Sequence, residues 1–163
     1  MLNCMIIAVS GSPGTGKTDI SKYLAKSLNY IYLDVNEVIR KNNLRGKYLK
    51  KFDSYEVDVN KLNKILIKII KKNNDLIIDS HLSHYIASRY LNYCIICKCD
   101  LKVLKKRLEK RGYNAIKVRE NLDSEIFDVC LNEALENKHR VIVVDTSKKN
   151  VKICVKEILK KLK

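Results

Sequence analysis

Gly11-Ser12-Pro13-Gly14-Thr15-Gly16-Lys17-Thr18 gathers three of the chain's five glycines and its only proline into eight residues. The spacing is GxxxxGK[ST], and its context matches what that pattern needs. An apolar run, Cys4-Met5-Ile6-Ile7-Ala8-Val9, precedes it and reads as a strand. Residues 19–28 follow, with Ile20, Tyr23, Leu24 and Leu28 at helical spacing. Strand, glycine loop and helix together predict a phosphate-binding loop. The glycines allow the backbone to turn successive N–H groups inward onto phosphate oxygens, and the helix adds the positive end of its dipole. Lys17 is placed to reach the outer phosphates, and the Thr18 hydroxyl to join the shell of a Mg²⁺ ion.

Further along, short β-branched or aromatic runs predict strands at 30–33, 76–79, 93–97 and 140–144. Helices are predicted between them at 36–41, 59–71, 101–110, 116–135 and 151–162. In the second of these, Leu62, Ile65, Leu66, Ile69 and Ile70 make an apolar stripe; in the last, Val151, Cys154, Val155, Ile158 and Leu162 do so opposite a lysine face. Five strands alternating with helices predict an α/β fold with a parallel sheet covered on both faces. Ligands then sit at the carboxyl ends of the strands.

At 163 residues the chain suits one domain, with no internal repeat and no Gly/Ser/Pro-rich linker. No apolar run approaches a membrane span, and the N-terminus reads as the first strand rather than as a signal peptide, so a cytoplasmic location is expected. Lys and Arg number 33 against 18 Asp and Glu, a formal charge of +15. That balance suits polyanionic partners such as nucleotides or RNA, and equally a lysine-rich solvated surface. The lack of Trp and the presence of only two Phe argue against an aromatic platform for single strands. Of six cysteines, Cys94, Cys97 and Cys99 lie inside a strand-like run with no second pair behind them. They read as buried reduced thiols rather than zinc ligands.

Residues following the strands carry the chemistry. Leu76-Ile77-Ile78-Asp79 ends in the acid that a phosphate-loop site uses toward Mg²⁺, usually through water. His81 is a candidate for orienting an attacking water or a phosphate; with His84 it gives an HxxH spacing that is a weak metal signal. Asp100 is a predicted helix N-cap. Arg107, Lys110, Arg111 and Gly112, with Lys117 and Arg119 beyond, form a basic corner suited to a lid over a triphosphate, since the arginine fork grips phosphate oxygens in pairs. The polar segment 35–58 is long for a connection and is the place to seat an acceptor. Arg40 and Arg89 are candidates for the acceptor phosphate.

With these residues assembled, the chain resembles the adenylate kinase isoenzyme 6 type of nucleoside monophosphate kinase, also known as ribosome-assembly factors of the Fap-seven kind. The resemblance spans about residues 6–135. It rests on GSPGTGKT, on Asp79-Ser80-His81, on Leu108-Glu109-Lys110-Arg111-Gly112-Tyr113-Asn114, and on Asn121-Leu122-Asp123-Ser124-Glu125-Ile126-Phe127. The resemblance implies a three-layer P-loop NTPase fold with a five-stranded parallel sheet, an NMP-binding region at 35–58 and a short lid at 109–119. It implies transfer of phosphate from ATP to AMP or a related monophosphate, accompanied by ATP hydrolysis, and binding to a small-subunit ribosomal protein (the platform protein numbered eleven), with contact to pre-rRNA. Gly14, Thr15, Gly16, Lys17, Thr18, Asp19, Arg107 and Arg111 are then nucleotide contacts, with Asp19 acting through its backbone. Thr146-Ser147-Lys148 borders the adenine, with Lys148 as a contact. Lys17, Asp79, His81 and Arg111 carry catalysis, and Thr18 and Asp79 hold Mg²⁺.

Two other readings stay open on the residues: an ATP-hydrolysing assembly factor in which water, positioned by His81, is the acceptor, and a small-metabolite kinase. A GTPase switch is disfavoured, since no NKxD motif is present.

Overall fold

The central strand of the sheet is the run just before the glycine loop. Ile6, Ile7, Ala8, Val9 and Ser10 are all buried and form β1 (Ile6–Ser10), with Ile7 and Val9 facing one side of the sheet and Ile6 and Ala8 the other. The computed structural model describes residues 5–148 and 150–162; Cys4, read as the start of this strand, lies outside the described residues.

From β1 the chain runs through the loop into α1 (Lys17–Leu28). It continues through β2 (Ile31–Asp34), α2 (Val35–Lys41), β3 (Arg45–Leu49), β4 (Ser54–Val57), α3 (Val59–Ile70) and β5 (Leu76–Asp79). Two single-turn 3₁₀ segments, Ser83–Tyr85 and Ser88–Tyr90, lead to β6 (Tyr93–Lys98). The remaining elements are α4 (Leu101–Lys110), α5 (Ala115–Ile126), α6 (Val129–Glu136), β7 (Val141–Asp145) and α7 (Val151–Lys161). The five long-sheet strands are parallel in the order β2-β5-β1-β6-β7. This is the predicted α/β architecture, with elements offset by a residue or two from the sequence reading.

One face of the sheet packs on α1 and α7, through Ile20, Leu24, Cys154, Val155 and Ile158. The other packs on α2, α3 and α6, through Val35, Val38, Leu62, Leu66 and Ala134. Each fully buried Leu or Ile contributes about 2 kcal/mol of burial free energy, which outweighs the modest β or helix propensity of any single residue. Side-chain caps set several helix starts. Asp34 accepts from Asn36 N at 2.8 Å, and Asp58 from Lys61 N at 3.1 Å. Asp100 caps α4 as predicted, through Lys102 N and Val103 N.

Two predicted elements are corrected. Residues 116–135 were expected as one helix and form two. Asp128 sits in the left-handed region at φ 51°, and its carboxylate is drawn into an ion pair with Lys98 at the end of β6. Helical periodicity alone cannot register that tertiary pull. Segment 35–58 is not an open loop: α2 leads into a two-stranded antiparallel hairpin of β3 and β4, in which Tyr48 lies directly opposite Tyr55, ring centroids 5.1 Å apart.

Candidate active site

Carboxyl ends of β1, β5 and β6 converge on the glycine loop. Gly11 has φ 138°, and a Cβ there would lie 2.4 Å from the Cys97 carbonyl oxygen, so only glycine lets the loop leave the sheet so close to β6. Gly16, at φ 86°, occupies the N-cap of α1, where a left-handed backbone favours glycine. The loop is knitted internally. The Ser12 carbonyl oxygen accepts from Thr15 N (3.3 Å), Thr15 Oγ1 (2.7 Å) and Lys17 Nζ (2.9 Å). Burial pushes the Lys17 ammonium below its ordinary pKa, and Arg111 adds to that, while Asp79 opposes it. A desolvated cation at the floor of an N–H-lined loop gains strongly from an anion placed against it.

Thr18 and Asp79 meet here. Thr18 Oγ1 donates to Asp79 Oδ2 at 2.8 Å, and Tyr32 OH, from β2, donates to the same oxygen at 2.8 Å. Desolvation, with the hydrogen bond to the Asp79 carboxylate and its charge, raises the Tyr32 pKa well above the ordinary phenol value, so the phenol stays a donor. A hydroxyl and a carboxylate oxygen side by side are hard donors of the kind Mg²⁺ takes alongside water and phosphate.

A cleft of about 780 Å³ opens from the loop, lined on the loop side by Ser12, Gly14, Lys17, Thr18 and Asp19. Its far walls are Asp79 at the end of β5, His81 and Tyr85 beyond it, Phe52 and Ser54 from the hairpin tip, and Arg111, Tyr113, Lys117 and Asn121 from the α4–α5 corner. Lys117 Nζ donates to the Asp53 carbonyl oxygen at 2.7 Å and stands 4.1 Å from the Tyr113 ring centre. The corner thus reaches across the cleft to the hairpin. His81 is solvent-accessible at the cleft wall; crowding by the walls lowers its pKa, with Lys17 and His84 adding to the effect, so it is neutral at pH 7.

A second recess of about 460 Å³ adjoins the loop, bounded by Gly14, Gly16, Asp19, Ile20, Arg107, Arg111, Thr146 and Val151. Thr146 Oγ1 donates to Thr15 O at 2.7 Å, and the Arg107 guanidinium bonds the Thr146 carbonyl (2.9 Å) and, at 3.4 Å, that of Gly14. Arg107 is therefore a tether of the recess and does not line the larger cleft.

The structure brings Gly14, Gly16, Lys17, Thr18, Asp19, Asp79, His81 and Arg111 to the cleft; Thr15 is buried beneath it. It does not bring Arg40, Arg89 or Lys148 there. Arg40 is exposed on α2, Arg89 lies over the Tyr90 ring at 5.0 Å, and Lys148 is exposed past Thr146. The facing wall is supplied by the hairpin tip, Phe52 and Ser54, with Asn36 from the start of α2.

His84 does not pair with His81 about a metal. It is buried, and its Nε2–H donates to Glu133 Oε2 at 2.7 Å, because a carboxylate only accepts. Nδ1 then accepts from Ser10 Oγ at 2.7 Å. Tyr32, Glu125 and this Ser10–His84–Glu133 relay were not singled out from sequence. Each depends on which strands are neighbours, which no local pattern encodes. Cys94, Cys97, Cys99, Cys130 and Cys154 are buried thiols outside any disulfide; burial raises the Cys97 thiol to about 12. No helix among the described residues is long and apolar enough to cross a membrane.

A parallel sheet of this order, with a GxxxxGKT loop after its central strand and an acid on the neighbouring strand, defines a P-loop nucleotide-binding protein. Residues 7–128 match the family described as "AAA domain". A "Putative adenylate kinase" of Methanocaldococcus jannaschii is 40% identical over 159 residues, covering 98% of this chain and 86% of that protein. An "Adenylate kinase isoenzyme 6 homolog" of Caenorhabditis elegans is 31% identical over 138 residues, 84% of this chain and 76% of that protein. Among solved structures, deoxyadenosine kinase from M. mycoides with bound dATP superposes with a TM-score of 0.64 at 20% identity, over 97% of this chain and 98% of that one; at that identity the likeness concerns the fold. The chain belongs to the family of these adenylate kinase-like P-loop proteins.

Proposed function

We propose that the chain is a Mg²⁺-dependent nucleoside monophosphate kinase of the isoenzyme 6 type, moving the terminal phosphate of ATP to AMP or a related monophosphate. The observation that carries this reading is the two-sided cleft. The donor loop with its Thr18–Asp79 pair forms one wall, and the hairpin tip, Phe52 and Ser54, forms the other, with the Lys117–Asp53 contact tying the hairpin to the α4–α5 corner. A hydrolase needs no second wall of this kind. The names of the relatives in M. jannaschii and C. elegans support the same activity.

Loop amides and Lys17 hold the β- and γ-phosphates, with the adenosine directed into the recess by Thr146. Thr18 and Asp79 would hold Mg²⁺, which supplies charge neutralisation on the phosphate oxygens when bound. An acceptor phosphate oxygen forms a bond to the γ-phosphorus as the bond from that phosphorus to the β,γ-bridging oxygen breaks, and ADP departs with that electron pair. Arg111 stabilises the charge on the moving phosphoryl group. The protein contributes position and electrostatics rather than a covalent intermediate.

A panel of acceptors with MgATP tests this reading, scored as ADP formed above the acceptor-free rate. AMP should stimulate the wild type, and Lys17→Ala should lose about 100-fold or more in turnover while keeping its fold. Near wild-type turnover in that variant would remove the nucleotide site assigned here.

A second reading, ATP hydrolysis driving ribosome assembly, draws on neutral His81 at the cleft wall and on the charge of +15. There, water takes the acceptor's place, and a small-subunit ribosomal protein with its pre-rRNA is the partner. Stimulation of ATP hydrolysis by that protein, in the absence of AMP, is its test.

A further inference from the structure

Glu125 is a buried carboxylate, 8% exposed, on α5, and it lines neither the cleft nor the recess. Burying a carboxylate is costly unless donors meet it, and here both oxygens are met. Oε2 accepts from Ser12 Oγ at 3.0 Å and Oε1 accepts from the Cys99 N–H at 2.9 Å. One side chain therefore joins the lid's exit helix, the glycine loop and the segment after β6.

Ser12 is the hub of the loop. Its carbonyl oxygen receives Thr15 N, Thr15 Oγ1 and Lys17 Nζ, so the orientation of that one peptide sets the loop's curvature and the resting place of Lys17. Its hydroxyl donates to Glu125, with Ser124 Oγ 3.3 Å away. Released from the carboxylate, Ser12 can rotate, and the peptide that organises three donors is no longer preset.

We propose that Glu125 is a positioning residue of the donor site: through Ser12 it fixes the glycine loop in its phosphate-receiving shape before nucleotide arrives. It touches no substrate. The same helix reaches the hairpin through Lys117 at its other end, so the anchor at Glu125 also ties the loop to the element that spans the cleft. A role confined to holding α5 on β6 would need only the Cys99 contact; the Ser12 contact is what directs the carboxylate at the loop.

The inference rests on the nucleotide-site reading of the loop, and the test separates the two. ADP·Mg²⁺ affinity is measured by calorimetry on the wild type, Glu125→Ala, Glu125→Gln, Ser12→Ala and the Glu125→Ala/Ser12→Ala pair, with thermal midpoints in parallel. Losing a charge-assisted hydrogen bond that orders the loop should weaken ADP about tenfold in Glu125→Ala and in Ser12→Ala. The double variant should be no more than about twofold weaker than either single one, because both remove the same link. Glu125→Gln retains an acceptor for Cys99 N–H and a polar group facing Ser12, and should recover affinity to within about threefold of wild type.

Additive losses, or unchanged ADP affinity with only a lowered thermal midpoint, would overturn the positioning role. Should Glu125→Ala not fold, Ser12→Ala at full stability still decides: wild-type ADP affinity in that variant overturns the proposal. Failure of the wild type itself to bind ADP would overturn the nucleotide-site reading, a different outcome from normal wild-type binding with indifferent variants.

Discussion

Thr18 and Asp79 are 61 residues apart in sequence, yet the Thr18 hydroxyl donates to Asp79 Oδ2 across 2.8 Å. The pair exists because β5 lies directly beside β1, with Val9 in register with Asp79, so the strand end and the first turn of α1 share one corner of the cleft. Tyr32 completes the corner from the next strand out.

This corner is where Asp79→Asn should act. The substitution keeps the shape and a hydrogen-bonding partner for Thr18 but removes the charge a divalent cation needs. Turnover at saturating MgATP should fall by about 100-fold, and the Mg²⁺ concentration for half-maximal rate should rise. Chelation of the metal should abolish activity in the wild type. A variant with unchanged metal dependence would show that Asp79 serves the fold alone.

Arg111 stands at the C-terminal end of α4 and faces both the cleft and the recess. Arg111→Ala should lower kcat by about 100-fold while changing ADP affinity only a few-fold, because a guanidinium that grips the transferring group acts mainly in the transition state. Stopped-flow and equilibrium binding on the same preparation separate these. An equal loss in both would make it a ground-state anchor.

His81 distinguishes the two readings of the acceptor. A neutral imidazole beside Asp79 can orient water, whereas a monophosphate brings its own nucleophilic oxygen. His81→Ala should therefore cut acceptor-free ATP hydrolysis by about tenfold or more and reduce AMP-dependent transfer less. Identical losses in the two reactions would mean that His81 places phosphate or metal for both.

Buried His84 gives stability a pH dependence of known sign. Desolvation lowers its pKa, opposed by Glu133 and assisted by His139, so the native state keeps it neutral while the unfolded chain titrates near the ordinary value of 6.5. Below that pH, unfolding takes up a proton and stability falls as pH drops; above it the contribution is constant. His81, lowered in the same direction, adds to the slope. Urea midpoints should decline from pH 7 toward pH 5 in the wild type, and decline less steeply in His84→Gln. A pH-independent midpoint in the wild type would contradict the buried relay.

How much of this was legible in sequence follows from what is local. The loop, α1 and the acid ending β5 are contiguous patterns, and Gly11, Lys17, Thr18 and Asp79 are read from them directly. Strand order is not local: nothing in Ile31-Tyr32-Leu33-Asp34 says that Tyr32 will point at Asp79. Glu125 is legible only as part of the stretch 121–127, and its burial is decided by the packing of α5 against the loop, which no local pattern records. The 35–58 segment hid a hairpin because its β-formers, Tyr48, Phe52, Tyr55 and Val57, are scattered among charged residues, and Tyr48 and Tyr55 pair only once the turn has brought them together. Arg40 on α2 and Arg89 in the Ser88–Tyr90 turn lie outside the cleft lining, and no contiguous motif places either one.

Transfer of label from [γ-³²P]ATP in the presence of unlabelled AMP and Mg²⁺ tests the central claim most directly. The two-walled cleft predicts label appearing in ADP, saturably with AMP and at a rate well above the release of inorganic phosphate. Label found only in inorganic phosphate, at a rate indifferent to AMP, would contradict it.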